Sequence, residues 1–67
     1  MRSAEIAMVE LALSPQSSLP GQTLEQIDFR RRFGVIVLAI RRGGGVVRTN
    51  LEKQPLQRDD VLLVQGA

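Results

Sequence analysis

One uninterrupted apolar run constrains the fold of this chain more than any other feature. Residues 35–40 read Val-Ile-Val-Leu-Ala-Ile, so apolar side chains occupy both of the alternating faces that a β-strand presents. Four of these six residues are β-branched, a composition that is typical of strands. A strand that is apolar on both faces needs cover on both sides. We therefore predict that residues 35–40 form a central strand of a sheet.

Three further strands are predicted from alternation and turn residues, and they occupy residues 6–13, 46–49 and 61–65. In the first of them, Val9, Leu11 and Leu13 share one face at a spacing of two, which predicts a half-buried strand. The three glycines at residues 43–45 permit a tight reversal, so the strand at residues 46–49 pairs with the central strand as a hairpin. The strand at residues 61–65 follows a turn at residues 58–60.

One short helix is predicted between the strand at residues 6–13 and the central strand. Thr23 and Gln26 have the spacing of a capping box, in which each side chain bonds the backbone of the other residue. Leu24 and Ile27 then share an apolar face, and Gly34 suits the left-handed residue that ends many helices. The predicted fold is therefore α+β, a small sheet of about four strands with one short helix, in the order strand, helix, hairpin, strand.

The length of 67 residues permits a single domain with a small core. Such a core supplies roughly 3–5 kcal/mol, and small domains usually add a disulfide, a metal or a partner subunit. The sequence contains no cysteine and no histidine, which excludes disulfides and thiolate or imidazole metal sites. We therefore expect association with a second copy or with the rest of a longer protein. No apolar run approaches the roughly 20 residues of a membrane-spanning helix.

The densest charge cluster consists of Arg30, Arg31 and Arg32, close to the predicted end of the helix. Guanidinium groups form paired hydrogen bonds with phosphate and carboxylate groups, so this cluster is a candidate site for a small anion or a nucleotide. The alternative interpretation is structural, because cations at the carboxyl end of a helix interact favourably with its dipole and need no ligand. The sequence leaves both interpretations open.

Catalytic, metal and cofactor sites are not expected. Histidine, cysteine and tyrosine are absent, and a chain of this length has little room for a buried acid–base site, so we predict that it is not an enzyme. Asp59 and Asp60 offer too few oxygen ligands for calcium or magnesium, and we expect Asp60 to accept hydrogen bonds from backbone amides in its turn. The glycines at residues 43–45 lack the lysine and the helix of a phosphate-binding loop.

A nucleic-acid-binding β module is a second functional interpretation, because arginine also occupies positions 41 and 42. Binding of this kind would weaken steeply with added salt. The net charge is only +2, and the only aromatic side chains are Phe29 and Phe33, which we expect in the core. Single-strand binders use aromatic side chains as stacking platforms, so nucleic acid is not the expected partner.

Several short motifs follow one another along the chain. They are Glu10, residues 18–24 (SLPGQTL), Ile27 with residues 28–30 (DFR), residues 33–42 (FGVIVLAIRR), Leu56, residues 60–64 (DVLLV) and Gly66. This ordered set resembles the TrkA-C domain, the C-terminal ligand-binding subdomain of RCK-type regulators. The resemblance implies that residues 1–67 are a single TrkA-C-like regulatory domain excised from a larger transport protein.

Members of that family dimerise and control transporters or channels, usually by binding a small ligand. They are attached to potassium uptake systems, potassium channels and cation/proton antiporters, and they form paired inserts in permeases similar to sodium-coupled carboxylate and sulfate carriers. Residues 28–43 resemble this last group most. The resemblance thus implies a ligand-sensing, homodimeric module of a transporter or channel for ions or small anions, on the cytoplasmic side of the bacterial inner membrane. A purely structural dimerisation insert is the alternative.

The resemblance also implies which residues bind the ligand. One branch of the family binds a cyclic adenine dinucleotide at its dimer interface through an Asp-x-Arg pair, which Asp28 and Arg30 match. That branch also uses an asparagine and a histidine, at positions where this sequence has Ile36 and Gly45. With one further cation from each arginine cluster, the candidate residues for a small anionic or nucleotide ligand are Asp28, Arg30, Arg31 and Arg41.

Two departures from the family pattern lie near the end of the sequence. Family members usually continue past the last strand into a helix, whereas this sequence stops at Ala67. The turn before Asp60 usually carries glycine, and this sequence has Asp59 there. Aspartate tolerates the left-handed conformation better than most residues, so we expect the turn to form.

Overall fold

The computed structural model of the protein describes residues 7–66. Its elements are β1 (Ala7–Ala12), α1 (Leu24–Ile27), α2 (Phe29–Phe33), β2 (Ile36–Arg42), β3 (Gly45–Val47), a 3-10 helix (Leu51–Lys53) and β4 (Val61–Gly66). Within that range, four strands form one antiparallel sheet in the order β1-β4-β2-β3. The α+β class, the four strands and the hairpin at the glycine triplet are confirmed, and Ile6 of the predicted first strand lies outside the described residues.

The last strand of the sequence, β4, lies inside the sheet between β1 and β2. The residues that stand opposite one another are Leu62 with Leu11 and Ile40, and Val64 with Val9 and Val37. Opposite residues of antiparallel strands point to the same face, so all of these side chains lie on one face of the sheet. Leu62 and Val64 are buried there against the helices.

A β-bulge interrupts the pairing of β2 with β4. Val37 stands opposite Val64, but Ala39 stands opposite Leu63, so Leu38 is an extra residue in β2. Side chains alternate along a regular strand, and the extra residue reverses the alternation. Val37 and Ile40 therefore both face the helices although they are three residues apart. The bulge thus allows both residues to contribute to the same core.

The predicted single helix is corrected to two short helices that meet at Asp28. Asp28 has φ 59° and ψ 49°, the left-handed conformation, and its N–H donates to the carbonyls of Glu25 and Leu24. In one continuous helix Phe29 would point about 200° away from Ile27, because successive residues are about 100° apart. The interruption changes the direction of the chain, so that Ile27 and Phe29 are both buried.

The two ends of this helical segment have the predicted chemistry. The Gln26 N–H donates to Oγ1 of Thr23 at 3.1 Å, and the Thr23 N–H donates to Oε1 of Gln26 at 2.9 Å, which completes the capping box. At the other end, Gly34 has φ 72° and donates its N–H to the Arg30 carbonyl at 2.8 Å. Local sequence therefore determines where the segment begins and where it stops.

The core lies between one face of the sheet and the helical segment. Its buried members are Leu24, Ile27, Phe29, Ile40, Leu56, Leu62 and Val64. Leu56, which comes from the irregular segment before β4, is 1% exposed and anchors that segment in the core. Full burial of a side chain of this size contributes about 1.5–3 kcal/mol.

The edge strand β1 is more exposed than predicted. Val9 and Leu11 share a face as expected, but they are 49% and 41% exposed, because the helical layer does not extend over this strand. Only Leu13, one residue beyond the strand, packs against the core. Phe33 is likewise 49% exposed at the end of α2, so of the two phenylalanines only Phe29 is a core residue.

No helix within residues 7–66 is long and apolar enough to cross a membrane.

Candidate functional site

A cleft of about 590 Å³ lies where the α1–α2 junction, the beginning of β2 and the segment after β3 meet. Its size is within the range of about 300–1,000 Å³ that is usual for small-molecule sites. The helical side contributes Leu24, Glu25, Asp28, Phe29 and Arg30. The remaining lining residues are Val35, Ile36, Val37, Arg48, Asn50, Leu51, Glu52 and Lys53.

Two of the predicted ligand-binding residues, Asp28 and Arg30, line this cleft. The left-handed backbone at Asp28 joins the two helices, and Arg30 lies two residues later in α2. Arg31 does not line the cleft, but its guanidinium group lies 3.7 Å from the carboxylate of Asp28. The Arg31 side chain is 86% exposed, so this ion pair adds little to stability. Three of the four candidates therefore lie together at the helix junction.

Arg41, the fourth candidate, lies elsewhere. Its position in β2 is opposite Val61, on the face of the sheet that points away from the helices. There its guanidinium group reaches across β4 to the Glu10 carboxylate of β1, at 3.7 Å. A ligand held in the cleft by Asp28 and Arg30 would therefore not be contacted by Arg41 of the same chain.

The opposite wall of the cleft comes from the segment after β3, to which the sequence analysis assigned no functional residue. Backbone hydrogen bonds hold this segment beside the turn before α1: the Gly21 N–H donates to the Leu56 carbonyl at 2.7 Å, and the Leu56 N–H donates to the Gln22 carbonyl at 2.8 Å. Lys53 Nζ lies 3.5 Å from Oε1 of Glu25 in α1. The 3-10 helix is thereby placed next to α1.

Asn50 begins the 3-10 helix in a left-handed conformation, with φ 52°. Asparagine tolerates this conformation better than most residues, so the sharp turn after β3 has a local cause. The run Arg48-Thr49-Asn50 was the only available sequence signal for this wall, and it does not indicate which helix the segment will approach. Sequence reasoning therefore missed Arg48 and Asn50 as cleft residues.

The cleft combines an apolar interior with a charged rim. Leu24, Phe29, Val37 and Leu51 also belong to the core or pack against it, so they form a fixed apolar floor. The rim carries both signs of charge, from Glu25, Asp28 and Glu52 and from Arg30, Arg48 and Lys53. Such a site suits a ligand with an apolar or planar body and anionic groups. Residues 7–66 contain no group of carboxylates that could hold a metal ion.

A buried ion pair between Arg42 and Asp60 joins β2 to the turn before β4. Asp60 accepts the backbone N–H of Gln57 at 2.9 Å, as predicted for its turn, and it also accepts two hydrogen bonds from Arg42, a partner that was not predicted. Burial favours the neutral carboxyl of Asp60, but the bonds from Arg42 and Gln57 outweigh it and lower its pKa. The hydrogen bond to Asp60 in turn raises the pKa of Arg42. The pair is structural.

Comparison with known proteins places the chain among transport-associated domains. The model of the TrkA-C domain family matches residues 8–67. The chain is 34% identical over 65 residues to the uncharacterized transporter YfbS of Escherichia coli (strain K12), covering 97% of the chain and 11% of YfbS. It is also 34% identical over 65 residues to Ktr system potassium uptake protein C of Bacillus subtilis (strain 168), covering 97% of the chain and 28% of that protein.

A solved structure supports the same relationship. The RCK C domain of the potassium transport protein KtrA, determined in complex with cyclic diadenosine monophosphate, matches this fold with a TM-score of 0.79 and 27% identity. The match covers 92% of this chain and 71% of the KtrA chain. Because the family model spans almost every residue and the fold agrees, the chain belongs to the TrkA-C domain family.

Proposed function

We propose that this chain is a regulatory module of a larger membrane transporter or channel, which senses a small anionic or nucleotide ligand in the cleft and pairs with a second copy of itself. The observation that carries the proposal is the juxtaposition of Asp28 and Arg30 at the rim of a cleft with an apolar floor. The transported species would be ions or small anions. The module itself would bind and not catalyse.

The relatives support a transporter as the parent protein. Their names describe a transporter and a potassium uptake protein, and the chain matches only a small part of the length of each. A domain of this kind can regulate its parent only if the ligand binds two arrangements of the module with different affinities. A dimer supplies such arrangements, because two copies can pack against each other in more than one way. A ligand that contacts both copies then favours one of these packings. We place the module on the cytoplasmic side of the bacterial inner membrane.

Cyclic diadenosine monophosphate is the first ligand to test, because the KtrA domain was solved in complex with it. The adenine rings suit the apolar floor and the phosphates suit Arg30. Two of the polar side chains expected for that ligand are replaced here by Ile36, which lines the cleft, and by Gly45. Other nucleotides, phosphate and small carboxylates therefore belong in the same ligand panel.

The test is isothermal titration of the 67-residue chain with this panel, for the wild type and for Arg30→Ala. We expect one panel member to bind, and Arg30→Ala to weaken its affinity at least about tenfold, since a hydrogen bond to a charged group contributes about 1.5–3 kcal/mol. Arg32→Ala is the matched control, because Arg32 lies in the same helix but does not line the cleft. Equal loss of affinity in both variants would contradict binding in the cleft.

Light scattering over a concentration series tests the proposed pairing. We expect a dimer that dissociates on dilution and that tightens with the bound panel member. A stable dimer that no panel member affects would instead support the structural alternative, an insert that only holds subunits of the parent protein together. A chain that stays monomeric at every concentration would contradict the pairing.

A further inference from the structure

The charges on the rim of the cleft are not all neutralised by their neighbours. Lys53 lies 3.5 Å from Glu25, and Asp28 lies 3.7 Å from Arg31. Among residues 7–66, the other charged lining residues, Arg30, Arg48 and Glu52, form no ion pair within 4 Å. Within the part of the chain that the structure describes, two guanidinium groups and one carboxylate of the rim therefore have no charged partner.

These two guanidinium groups come from different walls. Arg30 belongs to α2, whereas Arg48 directly follows Val47, the last residue of β3. Val47 stands opposite Ile40 in the hairpin and packs against the core, so the backbone next to Arg48 is held in place. On the other side of Arg48, Leu51 packs against the core as well. The anchored backbone therefore holds the Cα of Arg48 on the second wall, from which its exposed side chain reaches the cleft.

We propose that Arg48 is a ligand-contacting residue, and that together with Arg30 it makes the cleft specific for ligands with two anionic groups. This inference rests on the proposed function, because it concerns the same cleft. Guanidinium groups bind phosphate and carboxylate oxygens through paired N–H donors, and each of the two walls provides one such group. A ligand with a single anionic group satisfies one wall and leaves the other guanidinium group to water.

The experiment compares matched ligands that differ in the number of anionic groups. The nucleotide pair is cyclic diadenosine monophosphate, with two phosphodiesters, and adenosine 3′,5′-cyclic monophosphate, with one. The carboxylate pair is succinate and butyrate, which have four carbons each. Affinities are measured by titration calorimetry for the wild type and for Arg48→Met, Arg48→Lys and Arg30→Ala, with Arg58→Ala as an exposed control outside the cleft.

We expect the wild type to prefer the dianionic member of the pair that it binds. Arg48→Met should reduce that affinity at least about tenfold while affecting the monoanionic partner less than about twofold. The affinity of Arg48→Lys for the dianionic ligand should lie between those of the wild type and Arg48→Met, because the ammonium keeps the charge but loses the paired donors. Thermal unfolding of each variant shows that it remains folded.

Two results would overturn the inference, and they differ in what they mean for the proposed function. If Arg30→Ala weakens binding but Arg48→Met and Arg58→Ala both bind like the wild type, Arg48 is not a contact and the proposed ligand sensing stands. If the wild type binds none of the four compounds, the specificity for dianions falls, and the proposed ligand sensing falls with it unless another member of the ligand panel binds.

Discussion

Both carboxylate oxygens of Asp60 accept hydrogen bonds from the guanidinium group of Arg42, with Nε to Oδ1 at 2.9 Å and Nη2 to Oδ2 at 2.7 Å. Asp60 is 0% exposed, and Arg42 also donates to the Pro55 carbonyl at 3.1 Å. The pair therefore joins the end of β2, the segment before β4 and the start of β4. Asp60 is the one buried polar or charged residue among residues 7–66.

Removal of the Asp60 charge is expected to destabilise the fold strongly. In Asp60→Asn, the guanidinium group of Arg42 loses its buried counter-charge, and breaking one side of such a pair costs about 3–5 kcal/mol. Chemical denaturation of the wild type and the variant measures the loss. Asp59→Asn is the matched control, because Asp59 is exposed and asparagine also tolerates its left-handed φ of 67°. Similar stability of the two variants would mean that the ion pair contributes little.

The same pair predicts how stability depends on pH. The pKa of Asp60 is lower in the folded state, so the folded chain binds fewer protons at this site than the unfolded chain. Its contribution is therefore fully present above the unfolded pKa of about 3.9 and is lost as the pH falls below that value through the folded pKa. Denaturation between pH 6 and pH 2 should show a steeper decline for the wild type than for Asp60→Asn. Parallel curves would assign acid sensitivity to other carboxylates.

The left-handed backbone at Asp28 predicts an unusual order of stabilities. Asp28→Ala places a less tolerant residue at φ 59°, which costs about 1–2 kcal/mol, whereas Asp28→Gly avoids this strain. We expect Asp28→Gly to be as stable as the wild type in urea denaturation, and Asp28→Ala to be less stable. Arg32→Ala, at an exposed helical position, controls for the loss of a side chain. An equally stable Asp28→Ala would show that the helix interruption is not maintained in solution.

The capping box predicts a smaller and purely local effect. Thr23→Ala removes the oxygen that accepts the Gln26 N–H and should lower the free energy of unfolding by about 1 kcal/mol. Thr49→Ala is the control, since Thr49 is exposed and lies outside the helices and strands. Thermal unfolding of both variants checks the prediction, and an unchanged midpoint for Thr23→Ala would show that water replaces the cap.

The sequence of this protein determined its local features, because each depends on a few neighbouring residues. The capping box at Thr23, the left-handed Gly34 and Asp59 and the glycine turn were all predictable from residue chemistry. The central position of the strand with apolar residues on both faces was predictable for the same kind of reason, because removal of apolar side chains from water is favourable. The ordered motifs from residue 10 to residue 66 also indicated the family, because they are a property of the sequence alone.

The tertiary structure alone decided which distant segments meet. The bulge at Leu38 and the interruption at Asp28 depend on the alignment of β2 with β4 and on the need to bury Phe29. The pairing of Arg42 with Asp60, and the approach of the segment that carries Arg48 to α1, join residues that no short pattern connects. These contacts arise from packing between elements, so the complete cleft could not be read from the sequence.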